Sequence, residues 1–168
     1  MQSLLRWKMS GKAIEQELEL YGHGFFQTVG DSMEPLLHNR CSTVVIEKKK
    51  GPLEKYDVAL FRRPTGEYVL HRVLKVLNDS YIICGDNRLR KEKVPEEWII
   101  GVMAGYFETE ENNYISCDSR RYRRYLSTLI WRRRRLWQRR LWQRRQIRRI
   151  IKAPWKLAYL YKSFMKGE

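Results

Sequence analysis

The chain has 168 residues, is 43% hydrophobic and carries a formal net charge of +15, which is apolar material for one core and a small appendage but not for two full domains. Residues 1–118 hold 16 Lys/Arg and 18 Asp/Glu, whereas residues 119–168 hold 18 and 1, so a near-neutral globular sequence is joined to a cationic segment that must meet an anionic partner or stay hydrated. The three cysteines, Cys41, Cys84 and Cys117, include no CxxC pair, which excludes a disulfide framework and gives no zinc pattern.

The opening, MQSLLRWKMSGKAIEQELEL, lacks the apolar run of about 7 to 15 residues of a secretion signal. No stretch of the chain reaches the roughly 18 consecutive apolar residues of a membrane span. The expected location is therefore cytoplasmic. Ser10 is placed to cap a short helix through about Leu20, so that residues 1–21 form a lead-in.

From there β-branched and aromatic runs are cut by turn residues. Strands are expected at FFQTV (25–29), STVVIEK (42–48), DVALFRR (57–63), YVLHRVLKV (68–76), YIIC (81–84) and IIGVMAGYF (99–107). PTG at 64–66 and NDS at 78–80 are hairpin linkers. Residues 22–118 thus predict a compact, mainly β, antiparallel core. From Ser119 the texture changes to helix formers, and LWQRR occurs twice over 136–145. Leu126, Leu129, Ile130, Leu136, Trp137, Leu141, Ile147 and Ile151 fall within about half of a helical circumference, interrupted by Arg133, Arg140, Arg144 and Arg148. Pro154 breaks the pattern before Leu157, Leu160, Tyr161 and Phe164 resume it. Residues 119–168 predict a C-terminal amphipathic helical extension.

Ser32 lies in TVGDSMEPLL (28–37), between Asp31 and Met33. A serine becomes a nucleophile only when a base can take its proton. His23, ahead of the first strand, and His38, in LLHNR, read as solvated loop residues. His71 is on a strand, sharing a face with Val69 and Val73 by the alternation of side chains. Taken alone, a half-buried strand histidine is also well explained by a structural hydrogen bond, and Asp86 in GDN (85–87) by a turn.

The succession GDSMEP, DVALFRR, VLHRVLKV, YIICGDN and IIGVM resembles the signal peptidase I family, in the branch where histidine replaces lysine as the base, as in the endoplasmic reticulum enzyme, archaea and some spore-forming bacteria. The resemblance covers residues 22 to 107. It implies a signal-peptidase-like β core with Ser32 as nucleophile, His71 as general base and Asp86 as the acidic group near it, acting without metal or organic cofactor. Met33 and Pro35 shape the serine turn and are the expected substrate-binding residues, and Arg72 makes a structural pair. The branch carries a second acidic residue a few positions after GDN. Here that stretch reads GDNRLRKEKVP, with Arg88 to Lys91 mostly basic and Glu92 as the nearest carboxylate.

The expected function is a serine endopeptidase that cleaves a leader or signal-like peptide. An extended peptide or protein substrate would add along a strand edge, with a small side chain before the scissile bond. The alternative is an inactive peptidase-fold protein that binds through its tail. For the tail itself, an anionic membrane surface is the first expectation, with Trp131, Trp137, Trp142 and Trp155 at the headgroup level and the protein peripheral on the inner face. Nucleic acid is the second partner that its charge suits.

Overall fold

The computed structural model describes residues 14–108, 113–133 and 135. Helix α1 (Ile14–Tyr21) leads into strands β1 (His23–Gln27), β2 (Thr43–Lys48), β3 (Val58–Arg62), β4 (Tyr68–Val76), β5 (Ser80–Cys84) and β6 (Glu92–Pro95). A single 3-10 turn (Glu96–Trp98) precedes β7 (Ile99–Phe107) and β8 (Tyr114–Ser116). A second helix, α2, covers residues 120–133. The protein is thus mainly β, as its alternating runs predict, with helices near its start and after β8.

The strands form one sheet in the order β1-β2-β7-β3-β4-β5-β6, with β8 also paired to β7. Every pairing is antiparallel. The hydrophobic alternation along β3 explains how one sheet encloses two cores. Val58 and Leu60 enter a cluster with Leu18, Phe26, Ile46 and Met103, while Ala59 and Phe61 point the other way, to Val73, Tyr81, Ile83 and Val94. On β4, Leu70 joins the first cluster and Val69 and Val73 the second, so His71 stands on the face the alternation predicts.

Each expected strand is present, and the described residues hold two more, β6 and β8. β1 begins at His23 rather than Phe25, because His23 to Gln27 pair residue by residue with Glu47 to Thr43; His23 is therefore an exposed strand residue, whereas His38 is an exposed loop residue. β6 has charged residues and a terminal proline, features of an edge strand. Only Val94 of its four residues is buried. α1 is part of the first core, through Ile14 and Leu18.

The chain divides into two compact units, Met1–Tyr125 and Leu126–Glu168. Tyr122 belongs to the first core cluster and Tyr125 packs against it. Ser119 starts α2, its hydroxyl accepting from the Tyr122 N–H at 3.2 Å, a helix cap. Ser10, the LWQRR duplication, Pro154 and the tryptophans at 137, 142 and 155 lie outside the described residues. Trp131 is exposed, with the Arg135 guanidinium over its ring at 4.5 Å. Among the described residues no helix is long and apolar enough to cross a membrane.

Leu60 is fully buried at the centre of β3, between β4 and β7. Leu60→Ala is expected to lower unfolding free energy by about 2 to 5 kcal/mol in urea titrations, with the slope unchanged. A loss below 1 kcal/mol would mean that the first core is not packed as described.

Candidate active site

The serine turn follows β1. Thr28 N–H donates to Ser42 O at 2.9 Å, and Gly30 N–H donates to the Asn39 side chain at 2.8 Å. Gly30 has φ 104, a conformation open to glycine and strained for other residues. It reverses the chain just ahead of Asp31 and Ser32. A turn with Leu36 and Leu37 N–H groups on Met33 O then returns to the core. Ser32 is buried, at 5% exposure. Met33 is in the first core cluster and, with Thr28, Leu37 and Leu70, lines a small recess beside Ser32. Pro35 is exposed and does not line that recess.

The loop after β5 closes over this turn. Asn87 N–H donates to Ser32 O at 2.8 Å, the Asn87 amide donates to Asp31 O at 3.1 Å, and Arg88 forms a fork on the Asp31 carboxylate. Arg88, basic where a carboxylate was expected, holds Asp31 below the usual carboxylate range by hydrogen bonding to it. A Cβ at Gly85 would stand 2.6 Å from Ser32 O and 3.1 Å from both Ser32 Cβ and His71 Nε2. The missing side chain of Gly85 thus leaves open a space bordered by both Ser32 and His71.

His71 is buried on β4, opposite Ala59. Its Nδ1 lies 3.1 Å from Glu92 Oε1 on β6, with β5 between the two strands. A carboxylate can only accept, so in the neutral ring this contact puts the proton on Nδ1 and leaves the lone pair on Nε2. Nε2 is buried and has no hydrogen-bond partner among the described residues. The second Glu92 oxygen accepts from Arg63 Nη2 at 2.9 Å. Burial pushes the Glu92 carboxyl up, but the hydrogen bonds from His71 and Arg63 outweigh it and hold the group below the usual range.

Asp86, expected beside the base, is instead bound to Arg72. Arg72 Nε and Nη2 donate to its two oxygens at 2.8 and 2.6 Å, with both side chains fully buried. The cause is strand geometry: His71 and Arg72 are adjacent on β4 and point to opposite faces, and Asp86 lies on the arginine's side. Arg72 Nη1 also donates to Tyr56 O at 2.9 Å and Tyr122 Oη at 2.7 Å, while Tyr125 Oη donates to Asp86 Oδ2 at 3.0 Å. Burial works against the guanidinium charge, yet Asp86 and Tyr122 raise its pKa above the ordinary arginine range. Burial holds both phenols above theirs, with the Asp86 carboxylate adding to the effect at Tyr125.

Glu92 is the residue whose role strand-by-strand reading misses; its one signal is that it is the first carboxylate after the basic run 88–91. A groove beside α1, lined also by the ends of β2 and β3 and the start of β7, includes Glu15, Glu19, Lys48 and Arg62. Within it Lys48 pairs with Glu19 and Arg62 with Glu15, and neither Ser32 nor His71 lines it. Among the described residues no group of three or more His, Cys, Asp or Glu is placed to hold a metal ion.

Removing the Asp86 charge leaves a buried guanidinium uncompensated, so Asp86→Ala is expected to cost about 3 to 5 kcal/mol of stability in denaturant titrations. A cost under 1 kcal/mol would contradict the pairing. Glu92 has a lowered folded pKa, so its stabilisation is complete above the ordinary carboxylate value of about 4.3. It is lost as pH falls through the lower folded value. Unfolding measured from pH 7 to pH 2 should show a steeper acid loss in the wild type than in Glu92→Gln, and identical slopes would exclude the Glu92 contacts. No protein-family model matches this chain, and no curated protein matches it.

Proposed function

We propose that the protein is a signal-peptidase-like serine endopeptidase in which Ser32 is the nucleophile, His71 the general base and Glu92, not Asp86, the carboxylate that orients the base. The observation that carries this reading is the state of His71. Glu92 fixes the proton on Nδ1, and the buried, unpartnered Nε2 stands 3.1 Å from a point equally near Ser32 Cβ. A lone pair buried without a partner costs stability, and in the proposed reaction it receives the serine proton.

In the proposed reaction Ser32 Oγ attacks the scissile carbonyl and its proton passes to His71 Nε2. Glu92 stabilises the imidazolium, and backbone N–H groups of the serine turn stabilise the oxyanion, at about 3 to 4 kcal/mol per donor. His71 then protonates the leaving amine, and water, deprotonated by the same nitrogen, hydrolyses the acyl-enzyme. No metal or organic cofactor enters these steps. Asp86 and Arg72 hold the loop that shapes the site. The substrate is an extended leader or signal-like peptide, added along a strand edge, with a small residue before the cleaved bond. The cationic segment 119–168 holds the enzyme on an anionic membrane surface.

A fluorophosphonate probe tests the chemistry at pH 7 to 8. The wild type should label at Ser32. Ser32→Ala and His71→Ala, shown folded by circular dichroism, should not label, and Glu92→Gln should label about 100-fold more slowly or less. Absence of labelling in the folded wild type would overturn the reading in favour of a binding protein without catalysis.

A further inference from the structure

The buried Arg72–Asp86 pair is completed from outside the sheet. Tyr122 accepts from Arg72 Nη1 and Tyr125 donates to Asp86 Oδ2, both from the start of α2. They are three residues apart and so share a helix face. Asp86 in turn sits between Gly85, whose bare Cα leaves the space between Ser32 and His71, and Asn87, whose N–H holds Ser32 O. The helix therefore reaches the serine through hydrogen bonds and one short stretch of backbone.

The same turns of α2 carry Arg120, Arg121, Arg123 and Arg124, all exposed, with Tyr122 buried and Tyr125 half-buried. Arg121 is shared with Glu108. These arginines open the segment 119–168, with its 18 basic residues and one acidic residue. Seating the tyrosines inward fixes the outward direction of the arginines. A surface that bound the arginines better with the tyrosines seated than with the helix lifted off would, by that differential affinity, shift the population toward the seated helix.

Building on the reading of Ser32 and His71 as a catalytic pair, we propose that Tyr122 and Tyr125 are positioning residues through which binding of the cationic segment to an anionic lipid surface raises the reactivity of Ser32. The membrane then acts as an activator of the site as well as an anchor, and the enzyme is most reactive where a membrane-bound leader would be cleaved.

The test uses the full chain with phosphatidylglycerol vesicles, phosphatidylcholine vesicles or none. Binding is measured by co-sedimentation, reactivity by the fluorophosphonate labelling rate, and site order by hydrogen exchange at the Asn87 amide. Phosphatidylglycerol is expected to raise the labelling rate about 5-fold or more and to slow Asn87 exchange, and phosphatidylcholine to do neither. With Tyr122→Phe and Tyr125→Phe combined, the protein should still sediment with phosphatidylglycerol but lose both responses. Tyr125→Phe alone, which deletes one hydroxyl and retains the ring, should weaken both and decides the matter if the double variant does not fold.

Failure to sediment with phosphatidylglycerol, unchanged Asn87 exchange in the bound wild type, or full responses in the folded phenylalanine variants would overturn the proposal. A response to single-stranded DNA without one to phosphatidylglycerol would overturn the lipid assignment. Absence of labelling under every condition would overturn the peptidase reading instead, with Asn87 exchange still deciding whether the helix is coupled to the serine turn.

Discussion

The Arg72 guanidinium and the Asp86 carboxylate are both withdrawn completely from water, and such a pair is tolerated only when its geometry is good and its remaining donors and acceptors are satisfied. Here satisfying them requires four separate parts of the chain. β4 supplies the arginine, the loop after β5 the aspartate, Tyr56 a carbonyl, and α2 two phenols. Tyr56 accepts this role in a left-handed conformation, φ 82, that a tyrosine adopts at a cost. Its N–H on Val73 O and its carbonyl under Arg72 hold it there. The position of the serine turn follows, because the residues flanking Asp86 are the ones that touch Ser32.

Two adjacent residues on β4 serve opposite sides of the strand. Arg72 faces the ion pair, and His71, turned to the other side by the pleat, faces Glu92 and the space beside Ser32. The two carboxylates accordingly have different environments. Asp86 is locked by a guanidinium on both oxygens, while Glu92 divides its oxygens between Arg63 and the imidazole. A carboxylate held that way keeps its charge at neutral pH and gives one oxygen to orient the ring.

Much of this arrangement was legible in the sequence. Strict alternation in VLHRV placed His71 and Arg72 on opposite faces, and the β-branched runs marked the strands well because packing on both faces of β3 and β4 demands them. β6 was not legible, since an edge strand needs few apolar residues, and EKVP buries only Val94. Without that strand Glu92 had no address, and Asp86 took the role by its place in GDN. The space at Gly85 was equally invisible, because a close approach between distant segments leaves no local pattern. The seating of α2 rests on Tyr122 and Tyr125, two phenols among arginines, which composition alone assigns to a hydrated face.

A long-range nitrogen–proton correlation spectrum of the His71 ring, recorded where the imidazole is neutral, tests directly whether Glu92 sets the proton on one nitrogen and leaves a lone pair on the side of Ser32. Protonated Nδ1 and unprotonated Nε2 are expected in the wild type. A ring protonated at Nε2 instead would place a donor where the proposed base is required and contradict the proposed mechanism.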